Sequence, residues 1–140
     1  MKRIVVDASV VVKWLLPEIH SEAAKRLLAD ELQLWAPDLV WSEVGNVLWK
    51  RWRRGELPAD VVQALLRDFR RFPLSVHPSD LLLQAAWEVA HALDRSFYDS
   101  LYLALAAALD CPLVTADRKL WNALQDGLTR ASLLWVEEIS

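Results

Sequence analysis

Four acidic residues of this sequence stand in apolar surroundings, where carboxylates are uncommon unless they are paired or bind a metal. They are Asp7 at the end of "RIVVD", Glu43 inside "LVWSEVGNVLW", Asp99 in "SFYDSLYLALA" and Asp117 at the end of "LVTAD". Asp99 raises the sharpest question. In a helix it would share a face with Tyr102 and Ala106, because residues three, four and seven positions apart lie on one side. The pattern therefore predicts that this carboxylate points toward the core.

Carboxylates that converge in one crevice repel each other strongly unless a cation neutralises them. Mg²⁺ and Mn²⁺ prefer oxygen ligands and keep bound waters that can meet substrate phosphates. A site of this kind can assist the hydrolysis of phosphodiester bonds. The acids therefore indicate a Mg²⁺ or Mn²⁺ cofactor and nuclease chemistry, provided that the fold brings them together.

Each acid also has a purely structural interpretation. Asp7 and Asp117 could each cap the helix that follows. Asp99 stands three residues after Ser96, which is capping-box spacing with Asp in place of Glu. Glu43 could be an ordinary solvated helix residue. The joint arrangement, with two acids at strand ends and two on apolar helices, favours a metal site.

Other chemistries lack their motifs. The sequence has three glycines, which are not clustered as a phosphate-binding loop or a dinucleotide fingerprint requires. It has no G-x-S-x-G nucleophile motif. Its three histidines lack zinc-ligand spacing, and Cys111 has no second cysteine to join.

Short apolar runs alternate with helical patterns along the chain. The predicted strands are "RIVVD", "LQLWAP", "LSVHP", "PLVTA" and "ASLLWV". This alternation is typical of a parallel sheet that is covered by helices on both faces. Ligands of such sheets bind beyond the carboxyl ends of the strands. Asp7 and Asp117 stand at two of these ends, which we expect to be neighbours.

The bulk properties fit one ordinary globular domain spanning residues 1–140. The net charge of −3 does not by itself indicate a nucleic-acid-binding protein. The first apolar run is interrupted by Asp7 and Lys13, which argues against a signal peptide or a membrane span. A single cysteine fits a reducing cytoplasm, where we expect the protein to act.

Four stretches together resemble the motif blocks of the PIN-domain family, and are most similar to its VapC-type ribonuclease toxins. They are "IVVDASVVVKWLL", "DLVWSEVGNVLWK", "YDSLYLALA" and "PLVTADRKL", in the family's order. The resemblance implies a three-layer α/β/α sandwich around a mostly parallel sheet of about five short strands. It also implies a Mg²⁺- or Mn²⁺-dependent ribonuclease whose metal ligands and catalytic acids are Asp7, Glu43, Asp99 and Asp117.

The resemblance extends to smaller polar residues and has one departure. Ser9, Asn46 and Thr115 match positions that orient ligands or water, although they are equally explained as caps and helix polar groups. Some members of the family carry a further acid just after the fourth. Here Arg118 and Lys119 follow Asp117, which leaves open whether a second metal binds firmly.

The stretch "KRWRR" at the end of the Glu43 helix is a candidate RNA contact. Arg51, Arg53 and Arg54 could bind phosphates while Trp52 stacks on a base. The alternative is that these cations stabilise a helix C-terminus, where the helix dipole favours them. The family commonly forms homodimers and is inhibited by a cognate antitoxin protein, and Trp49 and Trp52 are candidates for such an interface.

Three hypotheses about function follow from the sequence. The first is an endoribonuclease that acts as the toxin of a toxin–antitoxin pair. The second is a PIN-type nuclease for RNA processing, which a neighbouring antitoxin gene would argue against. The third is a catalytically idle PIN-like interaction module, which a metal titration would test.

Overall fold

A computed structural model describes residues 2–29, 31–125 and 132–139. Its strands pair in parallel throughout this part of the chain and form one sheet in the order β3-β2-β1-β4-β5. They are β1 (Lys2–Val6), β2 (Leu32–Pro37), β3 (Leu74–His77), β4 (Leu113–Thr115) and β5 (Leu133–Trp135). The prediction of a parallel sheet of about five short strands is confirmed.

Helices connect the strands, as the alternating pattern predicted. They are α1 (Ala8–Leu15), α2 (Ser21–Arg26), α3 (Leu39–Arg53), α4 (Ala59–Phe69), α5 (Leu83–Leu93), α6 (Phe97–Ala108) and α7 (Arg118–Ala123). Within the described ranges, none of these helices combines the length and apolar character needed to cross a membrane.

The strands that lead to Asp7 and Asp117, β1 and β4, are buried in the core. The last three residues of β1 and all of β4 are buried, as expected for strands covered on both faces. Helix α6 is apolar almost all round and buried from Ser100 to Ala106, where it packs against β1, β2 and β4. Asp99 therefore directly precedes the buried run of this helix.

The strand order reverses between β1 and β4. From β1 the chain builds β2 and β3 on one side, and later adds β4 and β5 on the other. Open parallel sheets bind ligands in the crevice at such a switch point, outside the carboxyl ends of the strands. Asp7 directly follows β1, and Asp117 comes two residues after β4. The topology thus places both acids at this crevice.

Candidate metal site

One small pocket at the switch point brings the four acids together. Its volume is about 110 Å³, and its lining includes the side chains of α1, α3, α6 and α7. The lining residues are Asp7, Ala8, Ser9, Glu43, Asp99, Tyr102, Asp117 and Leu120. A pocket of this size has room for an ion and a few waters, since a water occupies about 30 Å³ in the liquid.

Asp7 is the most buried of the four acids. It is 7% exposed, and it caps α1 by accepting a hydrogen bond from the Val10 amide. Its two carboxylate oxygens also accept hydrogen bonds from the hydroxyls of Ser9 and Thr115. Burial raises the pKa of Asp7 to about 6, although these hydrogen bonds lower it, and the nearby charge of Asp117 raises it further.

Ser9 and Thr115 each accept a hydrogen bond from the backbone and donate one to Asp7. The Ala116 amide donates to Ser9 Oγ at 3.0 Å, and the Asp117 amide donates to Thr115 Oγ1 at 3.0 Å. A hydroxyl has one proton to donate, so each oxygen accepts from the backbone and donates to the carboxylate. This network joins the end of β1 to the end of β4 and fixes the rotamer of Asp7.

Glu43 holds the unsatisfied oxygen of the site. Its Oε1 atom is buried and has no hydrogen-bond partner within the described ranges, and the same is true of the Tyr102 hydroxyl. Burial raises the pKa of Glu43; the nearby Tyr102 hydroxyl opposes this rise, and the charge of Asp99 adds to it. A buried carboxylate oxygen without a donor is unfavourable. Either the neighbouring Tyr102 hydroxyl, which already lowers the pKa of Glu43, or a cation would satisfy it.

Contrary to the prediction from the sequence pattern, the Asp99 carboxylate does not point into the core but pairs with Arg95. Ser96 caps α6 by accepting the Asp99 amide at 3.1 Å, which is the backbone half of the capping box. The Asp99 carboxylate instead accepts from the Arg95 guanidinium at 3.0 Å. Its side chain is 31% exposed because it lies in the first turn of α6, at the rim of the pocket, and so it does not reach the core as Tyr102 does.

Asp117 caps α7 and lines the pocket at the same time. Its Oδ1 atom accepts from the amides of Lys119 at 3.0 Å and Leu120 at 3.4 Å. The structural interpretation of Asp7 and Asp117 as helix caps is therefore correct, and it does not exclude a second role. Arg118 directs its guanidinium over the Trp135 ring, 3.9 Å from the ring centroid.

The arrangement is not a preformed cage of ligands. Within the residues that the structure describes, no three His, Cys, Asp or Glu side chains are close enough to hold a metal as they stand. In this state Asp7, Asp99 and Asp117 each accept hydrogen bonds from the protein itself. The donor set nevertheless fits a hard divalent cation, because every candidate ligand is a carboxylate oxygen and Glu43 Oε1 lacks a partner in the described part of the chain.

Asn46 and the basic stretch do not join this pocket. Asn46 is exposed and is not part of the lining. Arg51, Arg53 and Arg54 come eight to eleven residues after Glu43 on the same helix, which corresponds to roughly 12–16 Å along its axis. The predictions that these residues assist the site or bind RNA stay predictions.

The basic stretch is partly satisfied by its own neighbours. Arg51 donates to Glu18 at 2.7 Å and lies 3.5 Å from Glu56. Burial alone would raise the pKa of Glu18, but Lys13 and Arg51 together lower it. Arg53 lies over the Trp49 ring at 5.4 Å from the centroid, whereas Arg54 is exposed.

Sequence reasoning overlooked two residues beside the acids. Tyr102 looked like a core residue, but its hydroxyl ends in the pocket lining. Arg95 was not singled out, although it stands four residues before Asp99 and pairs with it across the start of α6. This four-residue spacing could have suggested the pair, but the sequence does not show in which direction the Asp99 side chain points.

Comparison with known proteins identifies the family. The model of the PIN domain matches residues 4–124. Ribonuclease VapC3 of Pyrobaculum aerophilum is 37% identical over 120 residues, covering 84% of this chain and 92% of that protein. Ribonuclease VapC9 of Mycobacterium tuberculosis is 39% identical over 117 residues, covering 84% and 87%.

Solved structures resemble this fold over nearly the whole chain. The crystal structure of PAE2754 from Pyrobaculum aerophilum superposes with a TM-score of 0.67 at 25% identity, covering 97% of this chain and 85% of that one. The structure of VapBC2 from Rickettsia felis, bound to a promoter DNA fragment, has a TM-score of 0.67 at 16% identity and covers 95% and 98%. The solved structures thus share the fold, and the matched sequence model together with the ribonuclease relatives shows that the chain belongs to the PIN-domain family.

Proposed function

We propose that this protein is a VapC-type endoribonuclease that hydrolyses RNA phosphodiester bonds with a divalent cation, Mg²⁺ or Mn²⁺. The observation that carries the proposal is the convergence of four carboxylates at the switch point of the sheet, with one buried oxygen of Glu43 left without a donor among the described residues. Relatives that share more than a third of their residues with this chain are named ribonucleases.

The residues have distinct roles in this proposal. Asp7, Glu43, Asp99 and Asp117 would hold the ion, which when bound neutralises their charge, polarises the scissile phosphate and favours ionisation of a bound water. Ser9 and Thr115 keep Asp7 in one orientation through their hydroxyl protons. Tyr102 can direct its hydroxyl proton to Glu43, because both groups line the pocket and neither has another partner within the described ranges.

We further propose that the protein is the toxin of a toxin–antitoxin pair and that a cognate antitoxin inhibits it. A structural neighbour, the VapBC2 assembly of Rickettsia felis, was solved bound to promoter DNA, and a further neighbour is a toxin–antitoxin complex from Klebsiella pneumoniae. The predicted homodimer rests on the family resemblance. Light scattering of the purified protein would measure its mass.

Cleavage of RNA by the purified protein tests the proposal. The protein is stripped with EDTA, dialysed, and assayed on total cellular RNA with added Mg²⁺ or Mn²⁺. We expect cleavage that depends on the metal and disappears in Asp7→Asn. Cleavage that persists in EDTA would rule out the metal mechanism. Metal binding without any cleavage of cellular or synthetic RNA would favour the idle interaction module.

A further inference from the structure

Arg95 is the cation beside the acidic pocket. Among the ion pairs of the described residues, the pair between Arg95 and Asp99 is the one that reaches an acid of the pocket. Arg95 does not belong to the pocket lining, so its guanidinium lies beside Asp99 at the rim. Within the described ranges, Asp99 is thus the acid of the pocket that has a cation as its ion-pair partner.

Helix stability does not explain the position of Arg95. It directly precedes Ser96, the N-cap of α6, and the helix dipole disfavours a positive charge at this end. The preceding residue, Asp94, has φ of 53° because it ends α5 as its left-handed C-cap, a conformation that Asp can adopt. The end of α5 therefore leads the chain to Arg95.

The ion pair between Arg95 and Asp99 is weak, and it leaves an N–H donor of Arg95 without a partner among the described residues. The side chains of Arg95 and Asp99 are 27% and 31% exposed, and ion pairs near the surface contribute little to stability. The Nε–H of Arg95 is buried and has no hydrogen-bond partner within the described ranges. A guanidinium has five N–H donors in a planar fork that matches a phosphate group.

We propose that Arg95 is an exchangeable counter-ion: it occupies Asp99 in the metal-free protein, and on metal binding it turns to a phosphate of the bound RNA. The cation and Arg95 compete for the Asp99 carboxylate, so the arginine weakens metal binding and strengthens RNA binding. This inference rests on the proposed function, since it takes Asp99 as a metal ligand. It assigns Arg95 a substrate-binding role at the same site.

The test uses two titrations of the full chain. The first follows Mn²⁺ binding to the metal-free protein by calorimetry. The second follows binding of a random-sequence 2′-O-methyl RNA dodecamer by fluorescence anisotropy in the presence of Mn²⁺, with a gel to verify that the RNA stays intact. Arg95→Gln removes the charge, and Arg95→Lys keeps it without the fork. Arg67→Gln is the control, because Arg67 is exposed on α4, which gives no residue to the pocket lining.

The exchange predicts effects of opposite sign. Arg95→Gln should bind Mn²⁺ roughly three- to tenfold more tightly, because a competing cation is removed. It should bind the RNA roughly five- to tenfold more weakly, because a charge-assisted hydrogen bond is lost. Arg95→Lys should lie between the parent and Arg95→Gln in both titrations, and Arg67→Gln should match the parent. Thermal melts would confirm that each variant is folded.

Two results would overturn the role of Arg95 alone. If Arg95→Gln binds Mn²⁺ no more tightly than the parent, Arg95 does not compete with the ion. If RNA binding is unchanged, Arg95 does not meet the substrate. An absence of saturable Mn²⁺ binding in the parent would instead contradict the proposed metal site, so the two failures are distinguishable.

Discussion

Helix α3 carries opposite charges near its two ends, and the charged side chains at the two ends differ in how many partners they have. Near its start, Glu43 is half-buried in the pocket and has a carboxylate oxygen without a donor among the described residues. Near its end, Arg51 pairs with Glu18 and Glu56, and Arg53 lies over Trp49. Glu43 thus has an oxygen that is open to a ligand, whereas Arg51 and Arg53 already have partners within the chain.

The pKa shifts of the acids show the same difference between the pocket and the ion pairs at the other end of α3. Burial raises the pKa of Asp7 and Glu43, so the folded protein holds these carboxylates in an environment that disfavours their charge. The ion pairs of Glu18 lower its pKa despite burial, which means that the fold favours its charge. Strongly perturbed acids in a cleft are candidates for function, whereas satisfied ion pairs more often stabilise structure.

The largest expected effect is a difference in cleavage rate between a variant of the pocket, where Glu43 lies, and a variant of the basic end of α3. Asp7→Asn should lower the rate of RNA cleavage by at least about a hundredfold, because it removes a charged ligand while the amide still caps α1. Arg51→Gln should change the rate by less than about threefold, since Arg51 is engaged with Glu18 and Glu56. Initial rates at saturating Mg²⁺ measure both. Equal losses of cleavage rate in the two variants would contradict the distinction between the pocket and the basic end of α3.

The stability of the metal-free protein should depend on the protonation of Asp7. Its pKa rises from 3.8 to about 6 on folding, so the unfolded chain releases this proton first and Asp7 destabilises the fold as pH rises from 4 to above 6. The full loss is at most about 3 kcal/mol, at ~1.4 kcal/mol per pKa unit.

Asp7→Asn isolates this effect, because it does not titrate. Urea denaturation in EDTA would measure the free energy of unfolding of both proteins. Between pH 4 and pH 7, Asp7→Asn should become progressively more stable relative to the parent. Glu43 contributes to the parent in the same direction, but it is common to both proteins. A difference that stays constant with pH would mean that burial does not perturb Asp7.

The smallest expected effects distinguish the arginines of the basic stretch. If Arg54 binds a phosphate, Arg54→Gln should flatten the dependence of log K for RNA on log salt by about 0.7 to 1 unit. Arg51→Gln should leave that slope unchanged and instead lower stability by about 1 kcal/mol, since it breaks ion pairs within the chain. An unchanged slope in both variants would indicate that the stretch only stabilises the C-terminus of α3.

The fold was predictable because several signals in the sequence agreed. Short apolar runs, their alternation with helices and the order of the motifs all predicted a parallel sheet with Asp7 and Asp117 at neighbouring ends. Local capping was also predictable, since Asp7, Ser96 and Asp117 are at the N-caps that their residue types favour. These features depend on neighbours in the sequence or on strand order.

The finer arrangement of the site was not predictable, because it depends on distances between elements. The pairing of Asp99 with Arg95 depends on how the turn between α5 and α6 is built, which sequence pattern does not reveal. The ion pair of Arg51 with Glu18 joins residues 33 positions apart. The sequence showed that both arginines are charged, but the fold decides which charges are already paired.

The central claim is that the four acids hold a divalent cation, and titration of Mn²⁺ into Glu43→Gln tests it most directly. This substitution keeps nearly the same side-chain shape and removes the charge of the acid whose buried oxygen is unpaired within the described ranges. The control is Glu22→Gln, which removes an exposed acid of α2 outside the pocket. We predict saturable binding to the parent and to Glu22→Gln, and at least about tenfold weaker binding to Glu43→Gln, since a charged oxygen ligand is lost. Equal affinity in all three proteins would contradict the account.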